Sequence, residues 1–160
     1  MPQFQLNGKS FDAKHLATEV SVGSAAQWTL TSNMNYFHPF HIHINPFQVK
    51  STSSAFLMGD YFKASVFGTE LEPASMWRDT VYVPPLGQTV IWQRFGRPRL
   101  DFQTADPMGW PGKTVFHCHF FDHSDQGMMA AFLIGPGASP PPPGISYSYG
   151  YGYGDSDDRM

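Results

Sequence analysis

His117-Cys-His-Phe-Phe-Asp-His-Ser-Asp-Gln-Gly-Met128 is the stretch that decides how this chain is read. It holds the only cysteine, Cys118, with a histidine on either side, then His123 and Met128. A second cluster, His38-Pro-Phe-His41-Ile-His43, lies far upstream. Of seven histidines, six fall in these two windows, and only His15 lies elsewhere. Such crowding of nitrogen and sulfur donors marks a metal protein.

The flanks of the opening stretch read as strands. Thr114 to His119 is strand-like, and Met128 to Ile134 is an apolar strand ending at Gly135-Pro136. Further out, Phe4 and Leu6 alternate with polar residues before a turn at Asn7-Gly8. Thr18–Val22, Gln27–Thr31, Asp79–Val83 and Gln88–Phe95 read as strands, and Phe40–Val49 as an extended piece broken at Pro46. Residues 53–77 and 96–113, which lack a period and contain Gly and Pro, are expected as long loops. No stretch keeps a helical period, so a bundle or doubly wound sheet is excluded. Short strands between turn signals predict an all-β fold, an antiparallel Greek-key sandwich.

The chain's 160 residues suffice for one domain, and 41% hydrophobic residues suffice for its core. The boundary is expected at residue 136. Residues 137–160 turn to Pro140–Pro143 and a Tyr/Gly alternation, Tyr147 to Gly154, and read as a disordered low-complexity tail. A net charge of −3 without a basic run argues against nucleic acid or an anionic membrane as partner. No apolar run reaches the roughly 20 residues a spanning helix needs. The first residues show no signal-peptide pattern.

Side chains alternate faces along a strand. An extended 117–119 sends His117 and His119 to one face and Cys118 to the other. His41 and His43 likewise share a face, with His38 opposite. Cys118, His38 and His123 then form a trigonal nitrogen–nitrogen–sulfur set, with the Met128 thioether as a weak axial donor. That set is the blue-copper electron-transfer geometry. Structural zinc prefers four strong ligands at spacings absent here. The remaining set, His41, His43, His117 and His119, has four imidazoles and no thiolate, which suits coppers that bind dioxygen. Asp122, Asp125, His15 and the scattered methionines are read as ordinary surface or packing residues.

These two segments resemble the paired copper signatures of the C-terminal cupredoxin (plastocyanin-like) domain of multicopper oxidases, the laccase-like family. Asn45-Pro-Phe-Gln-Val49, Asp79-Thr-Val-Tyr-Val-Pro-Pro85 and Gly127-Met-Met129 extend the resemblance over roughly residues 3–136. It implies a cupredoxin-like sandwich, and His38, Cys118, His123 and Met128 as type 1 copper ligands. It implies His41 at type 2 copper, and His43, His117 and His119 at type 3 copper. Cys118, His117 and His119 would then carry electrons from a small reducing substrate, a phenol, amine or metal ion, to dioxygen. Family members are commonly secreted or periplasmic.

The family's three-copper cluster uses eight histidines, half from an N-terminal cupredoxin domain, and this chain has no third His-x-His. Three resolutions are open: a second cupredoxin domain supplies the rest, two copies face each other in a homo-oligomer, or only blue copper binds. The last would make the chain a mononuclear electron-transfer protein or a non-catalytic copper-binding fragment.

Overall fold

The computed structural model describes residues 3–54, 76–98, 105–106, 111–135 and 145–152. Among these residues, twelve strands and one short helix follow in order: β1 (Gln3–Leu6), β2 (Leu16–Ser21), β3 (Ala25–Ser32), β4 (His38–Ile42), β5 (Phe47–Ser54), β6 (Thr80–Val83), β7 (Gly87–Arg94), β8 (Arg97–Pro98), β9 (Ala105–Asp106), β10 (Gly112–Cys118), α1 (Phe121–Asp125), β11 (Met129–Gly135) and β12 (Ile145–Gly152). Two five-stranded sheets, β1-β12-β3-β7-β5 and β2-β11-β10-β4-β6, carry the architecture. Most pairings are antiparallel, while β2 runs parallel to β11 and β12 parallel to β3.

Period-two patterning builds these layers. In β3 the residues Ala26, Trp28, Leu30 and Ser32 are buried and the residues between them are not. In β10 the buried set is Thr114, Phe116 and Cys118. The inward faces meet in one core, where the Trp28 indole takes the rings of Phe116 and Phe132 edge-on, each with centroids 5.7 Å away. Such edge-to-face pairs add roughly 0.5–1.5 kcal/mol beyond the area they bury. The Asn7-Gly8 turn forms as expected, with φ of +53° and +73° and reciprocal Leu6–Lys9 backbone bonds of 2.9 and 3.1 Å. Both values suit the mirror-image turn that Asn-Gly favours.

The tail departs from expectation. Ile145–Gly152 is a strand inserted between β1 and β3, not an unstructured extension. Tyr147, Tyr149 and Tyr151 repeat at period two, and tyrosine favours strands. A neighbouring β3 edge gives this repeat backbone partners that composition alone does not disclose. The loop expected at 53–77 lies outside the described residues over 55–75. Within 96–113, β8 and β9 pair with each other. Among the described residues, no helix is long and apolar enough to cross a membrane.

Candidate metal centre

The register of β10 against β4 builds both donor clusters. His117 stands opposite His41, Cys118 opposite Phe40 and Phe116 opposite Ile42. Cys118 and His38 therefore point into the sandwich and are fully buried. His41 and His117 point outward and are half-buried, while His43 and His119 are exposed. The structure thus separates the histidines as the strand parity requires.

On the inner face, the Cys118 Sγ lies 3.7 Å from His38 Nδ1 and 3.6 Å from His123 Nδ1. An ion bound at about 2.0–2.3 Å from each atom, the usual range for first-row metals, spans such a triangle. His123 arrives on α1, a single turn with no side-chain cap at its start. Its carbonyl accepts from Met128 N at 3.0 Å, and the Met128 carbonyl accepts from Cys118 N at 3.0 Å. These two bonds close the 118–128 loop, and Met128 is fully buried beside the set. Gly127 permits the closure through a φ of +109°. The Phe4 ring stacks on the His123 imidazole at 3.9 Å and 19°. Phe120 meets the same imidazole edge-on at 5.2 Å.

Burial sets the electrostatics here. It lowers the His38 pKa to about 4, with His123 adding to the effect. It lowers that of His123 as well, against the opposing charge of Asp122. Burial also pushes the Cys118 thiol up to about 11. Two neutral imidazoles are ready to ligate, and the thiol must lose its proton to a metal.

On the outer face, His43 Nε2 and His117 Nε2 lie 3.3 Å apart. The His41 ring is 5.0 Å from that of His43 and 5.3 Å from those of His117 and His119. His41 Nδ1 sits 3.0 Å from the Asp79 carbonyl and 2.9 Å from Thr80 Oγ1. His117 Nδ1 sits 2.8 Å from the Cys118 carbonyl. A carbonyl only accepts, so both rings carry their proton on Nδ1 and present Nε2 to the cluster. Burial lowers the pKa values of His41, His43 and His117. His41, His43 and His117 form one potential metal-binding group and His38, Cys118 and His123 another.

Two features of the site were not legible as sequence. The Asp79 carbonyl and Thr80 hydroxyl reach His41 only because β4 pairs with β6. Asn45 N donates to the His43 carbonyl at 3.0 Å, closing a γ-turn about Ile44 at φ +76°. That conformation is rare and strained for a β-branched residue. Asn45, buried, accepts a hydrogen bond from Gln93 Nε2 at 2.5 Å, which anchors the far side of the turn.

A sandwich with a buried Cys-His-His set and an outward histidine cluster defines a cupredoxin-like copper protein. The sequence profile of the multicopper oxidase family matches residues 1–138, and the chain belongs to that family, whose cofactor is copper. It is similar to the bilirubin oxidase of Albifimbria verrucaria, 30% identical over 134 residues that cover 82% of this chain and 20% of that protein. It is also similar to an iron transport multicopper oxidase of Candida albicans, 32% identical over 105 residues, 63% of this chain and 14% of that one. Among solved structures, a laccase from Pediococcus acidilactici superposes with a TM-score of 0.57 at 26% identity, covering 80% of this chain and 23% of the laccase. The chain therefore spans less than a quarter of the length of each of these relatives.

Proposed function

We propose that this chain is the C-terminal cupredoxin unit of a laccase-like multicopper oxidase, in which a second cupredoxin unit supplies the missing histidines. His38, Cys118 and His123, with Met128 axial, hold the type 1 copper. His41 serves type 2 copper, and His43, His117 and His119 serve type 3 copper. The observation that carries this reading is the sharing of one strand by both sets. Cys118 faces inward, His117 outward, and the His117 ring bonds the Cys118 carbonyl at 2.8 Å. A protein built only to carry electrons has no use for a converging imidazole cluster on the reverse of its thiolate strand.

Copper, when bound, supplies one-electron oxidation of a reducing substrate on the inner side and dioxygen reduction on the outer side. The protein's own groups prepare both. Phe4 and Phe120 cover His123 and exclude water from the sulfur. The His123 Nε2 edge, 3.9 Å from the exposed Asp122 carboxylate, is turned toward the surface and is the entry edge for electrons. Peptide bonds from Cys118 to His117 and His119 form the covalent link between the two sides. The substrate is a phenol, an amine or a metal ion, as the family resemblance implies.

Exposed His43 and His119, flanked by exposed Ile44 and Phe121, support completion of the cluster by another cupredoxin surface. Interfaces bury apolar and aromatic side chains in their core and keep polar groups toward the rim, so exposed Ile44 and Phe121 suit burial against a partner. Copper bound per chain, measured on size-resolved copper-loaded protein with dioxygen uptake recorded on the same fractions, tests the proposal. An oligomer, or a complex with a second cupredoxin unit, holding more than one copper per chain and consuming dioxygen is expected. A blue monomer with about one copper per chain that consumes no dioxygen when such a unit is added overturns it.

A further inference from the structure

His123 stands on an element too short to hold its own shape. The helix α1 has one turn and no side-chain cap, and isolated helices of this length are unstable in water. The direction of the His123 ring therefore depends on what packs against it. The tightest of those contacts is the near-parallel Phe4 ring at 3.9 Å. Phe4 lies in β1, a four-residue strand at the margin of its sheet. Among the described residues, β12 is the only strand to which β1 is hydrogen-bonded, with Phe4 opposite Tyr151 and Leu6 opposite Tyr149. On its other side β12 is held by β3, from Ile145 opposite Trp28 to Tyr149 opposite Ser32.

We infer that β12 is a positioning element for the blue-copper side of the molecule: by pairing with β1 it holds the Phe4 ring on His123. This rests on the proposed reading of His123 as a ligand. Without β12, β1 reaches the β3 edge only by crossing one strand spacing of about 4.8 Å. A move of that size, larger than the stacking distance itself, takes Phe4 off the imidazole and opens the sulfur site to water. A strand of one sheet thus governs the surroundings of a ligand carried between two strands of the other. Because strand addition is carried by main-chain hydrogen bonds, a free peptide of the same sequence can take the place of β12.

The test reads the His123 imidazole protons by NMR in copper-free protein, where a stacked phenyl face shifts them upfield. The full chain is compared with a chain ended after Gly137, and the latter again after addition of a peptide spanning residues 145–154. Loss of the upfield shift on truncation and its return with the peptide is the expected result, and Phe4→Leu in the full chain should abolish the same shift. An unchanged shift in the truncated chain overturns the inference. Should that chain not fold, Gly150→Pro in the full chain replaces it, since proline removes a ladder donor from a central strand, and an unchanged shift there overturns the inference equally. Copper loading separates the two readings. If the full chain's His123 resonances neither shift nor broaden on loading, His123 is not a ligand, whatever β12 does.

Discussion

Cys118 is fully buried among apolar residues, yet it is the chain's only thiol and so the only source of a thiolate on the inner face. Replacing it with serine keeps the volume nearly constant and removes the thiolate. Cys118→Ser should abolish the blue absorption of copper-loaded protein and leave the far-ultraviolet circular dichroism unchanged. A blue band that survives the change would exclude Cys118 as ligand. His38 supplies a second expectation at this scale. Its pKa is about 4 in the folded protein against 6.5 when free, so the unfolded chain binds the extra proton between those values. Stability of the copper-free protein is then full above about pH 6.5 and is lost as pH falls toward 4. The loss is roughly 3 kcal/mol at about 1.4 kcal/mol per pH unit. The lowered values of His41, His43, His117 and His123 act in the same direction. Denaturant titrations at a series of pH values measure the slope; a flat profile from pH 7 to 4 contradicts it.

At the scale of elements, β10 was readable from sequence because alternation needs no partner to be seen. Phe116 and Cys118 are apolar, His117 and His119 polar, and the strand follows. The 118–128 loop was readable only in its donors. Five residues are too few to display a 3.6-residue period, so α1 left no trace in the pattern. The turn at Ile44 opposes local preference, and its support comes from Gln93, 48 positions beyond Asn45. The strand in the tail was hidden for a similar reason: its sequence is compatible with disorder until β1 and β3 flank it. Gly127 joins these levels. Its φ of +109° places Met128 N under the His123 carbonyl, and an added Cβ would sit 3.0 Å from Ser10 Cβ. Gly127→Ala should cost about 1–3 kcal/mol, measured by equilibrium unfolding, and should displace Met128. Wild-type stability in that variant would show the turn to be unstrained.

For the whole molecule, copper is a better ligand of the folded state than of the unfolded one, because folding brings His38, 80 positions away, to Cys118. Binding of this kind stabilises by mass action, about 2.7 kcal/mol when free metal is a hundredfold above its dissociation constant. For a domain of this size that corresponds to roughly 5–10 °C in Tm. Chelation should lower Tm by such an amount, and calorimetry with and without chelator measures it. Equal Tm values would mean that the inner cluster binds no metal tightly.

The sharing of β10 by the two donor sets also restricts how such a protein can change over generations. A point substitution alters one set and spares the other. Insertion or deletion of a single residue between Thr114 and Cys118 does not, because a one-residue slip turns every later side chain to the opposite face. The thiol would be delivered to solvent and the imidazoles to the core in the same event. The two sites are therefore free to vary in composition independently, but in spacing they can only be inherited together.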